Sequence, residues 1–461
     1  MTMMKRTLCI VGCLFIHSRH RLFVAAITNQ VFPTLFDNEI IGDATLLDDE
    51  TQNLYITSNP EGFTANAFSL YRINAEGNRD YKVQIPFRDG IRFESPTDIK
   101  LYAPDTLVVL ANGGFSDPTI SGGGDCAVYL VNSEDGTVFE SLLLNGPEYI
   151  ENGQTNSLIT CRKAIVSAQD PTKIYVMAVS LMNIDAAAYG YSTFKIDVPT
   201  GTVDWVDHYL PASYPDGGSP EDILEVDASY LLVGGFMGLY RYELDTGARS
   251  GVLPSKRVNN LLQVNDQVLV GGAGSDSSVA LDVTTLSLVW DTPEGRGIVY
   301  YKPGPNSDPS LVWYTKILIP EASQNWNVEV GVISLLDGSE VWKEEYDGGS
   351  NDFDTVVGFS SIRGTSIAYL GTSGRQQGGG CCFGNLWGFL PRIVGFLGLS
   401  ASGYSLIIGD ARLLTVDHTT MSIQEDPLID TAIGAPATFL GTDNIGWMLG
   451  YDGGGILYHY D

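Results

Sequence analysis

The sequence is short of positive charge. It holds 26 Lys and Arg against 55 Asp and Glu in 461 residues, a formal net charge of −29. Four of those cations, Lys5, Arg6, Arg19 and Arg21, fall in a first stretch of 36 residues that contains no acid. The other 22 face all 55 acids, so the rest of the chain carries −33. Such a surface repels phosphate backbones, which argues against general binding to nucleic acid or to an anionic membrane. It suits cations, basic partners, or plain solubility. Histidine is also scarce. Beyond the first 36 residues only His208, His418 and His459 occur, without metal-ligand spacing. No Gly-x-Ser-x-Gly elbow and no glycine-rich phosphate loop is present, which argues against a standard hydrolase triad or nucleotide site. No Asn-x-Ser/Thr sequon occurs, so glycosylation lends secretion no support. Long apolar runs are missing too. The most apolar stretch, residues 383–399, is broken by Pro391, Arg392 and recurrent glycine, so no transmembrane span is expected.

What is abundant is glycine, 52 residues or about 11% against an ordinary ~7%. With 44% hydrophobic residues the chain can bury a large core. Lys5 and Arg6 precede an apolar run over residues 8–16, and Val24-Ala25-Ala26 offers small residues for cleavage. Residues 1–26 therefore have the order of a secretory signal peptide, although His17-Ser18-Arg19-His20-Arg21 interrupts it. The acid-free, Arg-containing start also fits a mitochondrial presequence, and a wrongly assigned start codon is a third account. Past this leader remain Cys126, Cys161, Cys381 and Cys382, an even number compatible with an oxidising compartment. Cys126 and Cys161 could bridge neighbouring repeats, and Cys381 and Cys382 a vicinal disulfide. The alternative is four reduced thiols.

One pattern recurs along the chain. An apolar run leads to Asp or Asn, then to a turn with Thr or Asp and Gly, then to a second run often ending in an aromatic. The clearest copies are residues 194–205, ending in Trp205, 279–290, ending in Trp290, and 333–342, ending in Trp342. Weaker copies start near Leu70, Tyr129, Tyr240 and Leu413, and residues 456–461 look like half a copy. Two further strand-like runs precede each copy, as in residues 222–226 and 230–235. Four short strands repeated around a ring predict an all-β fold, a β-propeller, over a single domain of residues 27–461. The count favours eight blades, with seven as the alternative. The 80-residue gap before the Leu413 copy holds either one blade with an insertion at 372–396 or a degenerate extra blade. The last copy lacks a fourth strand, and the strand-like residues 28–36 can supply it, closing the ring.

The Asp-x-x-Thr-Gly-x-φ-x-Trp turn (φ apolar) resembles the repeat of quinoprotein-type β-propellers. Trp205, Trp290 and Trp342 match its aromatic position and Phe139 substitutes for it. The resemblance implies that these aromatics dock between neighbouring blades. That superfamily includes calcium-dependent alcohol dehydrogenases holding pyrroloquinoline quinone (PQQ) in the channel. It also includes non-enzymatic scaffolds such as the bacterial outer-membrane assembly lipoprotein. The dehydrogenases carry a vicinal disulfide over the quinone. Here Cys381-Cys382 lies late in the chain, the chain is shorter than members with the full active site, and their Glu, Asn and Asp constellation has no clear match. PQQ is accordingly disfavoured.

Asp or Asn recurs at or just before the first strand of several blades: Asp43, Asp98, Asp222, Asn260 and Asp354. Two share a longer signature, Ser95-Pro96-Thr97-Asp98-Ile99 and Ser219-Pro220-Glu221-Asp222-Ile223. First strands line a propeller's channel, so these oxygens would ring one mouth. A ring of oxygens suits a hard cation such as calcium, and like-charge repulsion would raise some of the carboxylate pKa values. The alternative is that each caps its own turn. A second acidic patch, Glu344, Glu345, Asp347, Asp352 and Asp354, lacks calcium-loop spacing and reads as a solvated turn. The expectation is a secreted, monomeric binding or scaffold module. Its rivals are a PQQ- and calcium-dependent dehydrogenase and a metal-dependent hydrolase or lactonase at the channel mouth.

Overall fold

The structure, a computed structural model, describes residues 27–32, 36, 40–59, 67–88, 91–115, 124–151, 154–183, 188–210, 217–274, 277–292, 297–304, 308–318, 327–346, 355–361, 367–375, 409–417, 419–426, 436–441, 445–450 and 455–460. They form antiparallel strands grouped into eight blades of four, a β-propeller. Blade 1 comprises Ile40–Leu47, Leu54–Asn59, Ala67–Ile73 and Arg79–Pro86, and blade 2 Ile91–Ala103, Thr106–Phe115, Gly124–Asn132 and Val138–Leu144. Blade 3 comprises Ile159–Val166, Lys173–Asn183, Ala188–Asp197 and Thr202–Tyr209, and blade 4 Pro220–Val226, Tyr230–Gly235, Gly238–Glu243 and Arg249–Leu253. Blade 5 comprises Val258–Val264, Gln267–Gly274, Val279–Asp282 and Leu288–Asp291, and blade 6 Gly297–Pro303, Leu311–Leu318, Asn327–Ser334 and Glu340–Tyr346. Blade 7 comprises Thr355–Ser361, Ile367–Arg375, Gly409–Asp417 and Ser422–Asp426. Blade 8 has Pro436–Gly441, Ile445–Gly450 and Gly455–Tyr460, and takes Ile27–Phe32 as its fourth strand. A small hairpin, Glu148–Glu151 with Gln154–Ser157, precedes blade 3.

The first strands of successive blades touch in sequence around the ring, and the first strand of blade 8 touches that of blade 1. Eight blades and closure by the N-terminal strand are thus the observed arrangement. The described strands on either side of the long gap before the Leu413 copy belong to a single blade, blade 7. Residues 372–375 of the expected insertion belong to its second strand and pair with residues 409–412. The rest of that insertion, with Cys381 and Cys382, lies outside the described residues, as do residues 1–26. Among the described residues no helix is long and apolar enough to cross a membrane.

Burial follows position within a blade. Middle strands are packed on both faces by neighbouring blades, so they read as continuous apolar runs: Tyr230–Gly235 is buried throughout. Fourth strands have one outer edge and alternate, as in Val138–Leu144.

The aromatic position of the repeat is where blades lock. Trp205 donates its indole N–H to Leu244 O of blade 4 at 2.9 Å, and Trp290 to Leu335 O of blade 6 at 2.8 Å. Each ring lies over the glycine of the next blade's turn. A Cβ on Gly247 would come 2.7 Å from Trp205, and one on Gly338 2.6 Å from Trp290. Both glycines also have positive φ, at 66° and 69°. Phe139 does not dock in this way, since it is 57% exposed. A bulge after the turn sets the register. In blade 3 it pairs Lys195 with Trp205, and in blade 2 it pairs Leu130 with Glu140, so the docking position is one residue past Phe139. In blade 1 the same register falls on Tyr81, whose hydroxyl donates to Ser133 O of blade 2 at 3.2 Å. Phe32 of the closing strand sits against Gly77 in the turn of blade 1.

Candidate functional site

A bulge also shapes the first strands. It lies between Pro96 and Asp98, Cys161 and Lys163, Pro220 and Asp222, and Val258 and Asn260. The same irregularity precedes Gly358 in blade 7 and Thr438 in blade 8. A bulge re-aims the residue that follows it, so Asp98, Lys163, Asp222 and Asn260 hold equivalent places in blades 2 to 5. Blade 6 has no bulge, and Tyr300 occupies that place.

Hydrogen bonds across the blades confirm the equivalence. Ala164 N–H donates to Asp98 Oδ2 at 2.7 Å, Leu261 N–H to Asp222 Oδ2 at 2.7 Å, and Tyr301 N–H to Asn260 Oδ1 at 2.8 Å. In each case an oxygen on one first strand accepts the backbone N–H just past the equivalent residue of the next. Lys163 cannot accept, and there the polarity reverses. Its ammonium donates to Asp222 Oδ1, and Asp222 Oδ1 also takes the N–H of Ile223 at 2.9 Å. Asn260 Nδ2 donates to Asp222 Oδ2 at 3.3 Å. Asp222 is buried and every hydrogen bond it makes faces a cation or donor. At the other end of the first strand of blade 4, Glu225 accepts from Ser167 Oγ and the N–H groups of Ala168 and Gln169 in blade 3.

The charges interact as one group. Burial pulls the Lys163 ammonium down, but Asp222, by charge and hydrogen bond, and then Asp98 outweigh it and leave the pKa raised. Burial raises the Tyr300 hydroxyl. Lys302, one pleat further along the same strand, is lowered by burial and then by Lys163, against a weaker opposing effect of Asp222. Lys302 is nonetheless exposed. Lys302 lies on one of the first strands, which touch one another around the ring and line its channel.

Of the residues expected at this mouth, the structure brings Asp98, Asp222 and Asn260 into one row. Asp43 lies in the irregular stretch of backbone between Ile41 and Thr45. Asp354 lies outside the described residues, as do Asp347 and Asp352. Among the described residues no three His, Cys, Asp or Glu side chains come together as a metal-holding group. Cys126 and Cys161 are joined in a disulfide between blades 2 and 3, with Cα atoms 5.1 Å apart. Asn112 brackets Cys161, accepting its N–H at 2.6 Å and donating to its carbonyl at 3.2 Å. Sequence reasoning passed over Lys163, Tyr300 and Lys302 because it looked for repeated acids. The place two residues past a bulged Cys161 was the missing signal.

No family model and no curated protein sequence matches the chain. Solved structures do match in fold. BamB from Moraxella catarrhalis superposes with a TM-score of 0.51 at 12% identity, over 94% of this chain and all of that one. Sqt1 from Chaetomium thermophilum gives 0.51 at 10% identity, over 94% and 100%. At such identity the likeness is one of fold alone, the β-propeller.

A second polar cluster lies in blade 2. The buried Glu94 carboxylate accepts from Arg88 Nε at 2.6 Å and from the Tyr129 hydroxyl, and Arg88 Nη2 reaches Asp125 at 2.6 Å. The Arg88 pKa is raised: burial pulls against it, but Asp125 and Glu94 win. This network satisfies its own charges and serves the packing of the blade.

Proposed function

We propose that the protein is a secreted β-propeller acting as a monomeric binding or scaffold module, whose ligand or partner engages the channel mouth. One observation carries this reading. The row Asp98, Lys163, Asp222, Asn260 and Tyr300 is fixed by blade-to-blade hydrogen bonds, so the mouth is a rigid, preorganised polar rim. The disulfide between blades 2 and 3 supports an oxidising compartment. The fold alone does not choose a function, because propellers host many.

The test is affinity capture with the full chain, wild type against Asp98→Asn at the rim and Phe139→Ser on an outer strand. The reading expects a bound species that the rim change releases and the outer-strand change keeps. Capture indifferent to the rim change overturns it. Parallel melts in chelator, in calcium, and in calcium plus PQQ address the rivals. A further rise with PQQ moves the reading to the dehydrogenase, and chelator-sensitive hydrolysis to the hydrolase. A ligand at ~100 times its Kd adds about 2.7 kcal/mol, enough to see in a melt.

A further inference from the structure

The chemistry of the ligand is addressed by the cations of the first strands, an inference that rests on the channel mouth being the binding site. Side chains two apart on a strand share a face. Two residues past the row of Asp98, Lys163, Asp222, Asn260 and Tyr300 come Lys100, Ile165, Leu224, Leu262 and Lys302. Three of these five are aliphatic and two are lysines. Lys100 is paired with Asp98 at 2.8 Å, and in the row above Lys163 is paired with Asp222. Lys302 differs. Among the described residues no carboxylate lies within ion-pair distance of it. The acid that acts on it, Asp222, is already held by Lys163, by the Leu261 N–H and by Asn260. Lys302 therefore stands exposed on a first strand, in a layer whose aliphatic members Ile165, Leu224 and Leu262 are half-buried against the cores between blades.

An ammonium in that setting has no ion-paired carboxylate among the described residues, and an incoming anion supplies a counter-charge. In a chain of net charge −29, solvent near most of the surface is depleted of anions. An ammonium on a first strand with no paired carboxylate among the described residues is thus a selective feature. We infer that Lys302, with Lys163 across the channel, forms a subsite for the carboxylate or phosphate group of a small anionic ligand. Charge-assisted hydrogen bonds from lysine to such an oxyanion are the strong kind. Tyr300, one pleat away, is a phenol protonated at neutral pH, and burial raises its pKa further, so it remains a donor.

Calorimetric titration of the full chain with inorganic phosphate, and separately with oxalate, at ionic strength fixed with chloride, tests this. The expected result is saturable uptake of about one anion per chain, weakened at least about tenfold in Lys302→Met and retained in Lys302→Arg. Which of the two anions binds more tightly separates phosphate from carboxylate. If Lys302→Met fails to fold, Lys302→Gln carries the same readout. Uptake equal in wild type and the neutral variants overturns the site, as does heat no greater than that from chloride. Loss of anion binding with rim-dependent capture intact overturns this inference alone. Capture indifferent to the rim, with phosphate bound through Lys302, overturns the broader reading and leaves the subsite.

Discussion

At the scale of single residues, His208 makes the stability of blade 3 depend on pH. Its Nδ1 shares a hydrogen bond of 2.7 Å with the buried Ser192 hydroxyl, which in turn lies 2.6 Å from Ser180 Oγ. Burial holds the imidazole below its ordinary value of 6.5, with Asp207 opposing weakly. In the unfolded chain the ring takes a proton near that ordinary value, while in the fold it resists. The unfolded state then binds more protons, so stability is full above about pH 6.5 and falls as the pH drops toward the folded pKa. Melting temperatures between pH 7.5 and 5 should show this decline. His208→Gln should flatten it, and an unchanged slope would place the effect elsewhere. The turn between third and fourth strands offers a second residue-level test. In blade 7 its left-handed position is Met421, at φ 52° and 53% exposed, where blades 1 to 4 and 6 have glycine and blade 5 has Leu286. Met421→Asn should add up to about 1 kcal/mol of stability, read as a higher urea midpoint, since Asn tolerates this conformation better. Gly338→Ala should cost about 2–4 kcal/mol, because it adds a strained φ and a clash with Trp290.

Among elements, the first strands behave as a belt whose links are side chains. Asp222 is the central link, joining the cation of blade 3 to the backbone of blade 5. Asp222→Ala should cost about 2–3 kcal/mol. It leaves the Leu261 N–H without its acceptor and Lys163 without its partner, discounted because Lys163 is 37% exposed. Asp222→Asn should cost less, keeping one acceptor oxygen. Guanidinium denaturation of the two variants decides it, and equal losses would mean that charge, not the hydrogen bond, matters. This element also shows what the sequence made legible. The shared Ser-Pro-x-Asp-Ile stretches mark two bulged first strands because the bulge, the proline and the latch fall at fixed offsets. The turns between third and fourth strands were readable because Asp or Asn, Gly and a Trp recur there. Phe139 misled because the bulge that sets the pairing register inserts one residue, and no local preference of Phe or Glu reveals it. Lys163 was hidden because a latch can be made by either sign of charge, and only the three-dimensional neighbour says which is needed.

For the molecule as a whole, the ring is strengthened unevenly. The junction of blades 2 and 3 has the Asp98 latch, the Asn112 bracket, a shared apolar core and the Cys126–Cys161 disulfide. The two cysteines are 35 residues apart in sequence. Closing a loop of that size should contribute about 3–4 kcal/mol through the unfolded state. Reduction, or the double Cys→Ala variant, should lower the melting temperature without changing the native far-ultraviolet spectrum. A melt indifferent to reductant would mean that the bond contributes nothing to stability.

The pairing of Ile27–Phe32 with Gly455–Tyr460 has a consequence in time. The strand that completes blade 8 is made first, and its partner more than four hundred residues later. At ordinary synthesis rates of ~5–20 residues per second, that first strand waits roughly 20–90 s for its place. Throughout the wait Phe32 has no Trp447 to pack against, and the seven earlier blades form an open arc with two raw ends. The newborn chain is thus at its most adhesive just before it is finished, and guarding that interval falls to whatever meets it as it emerges.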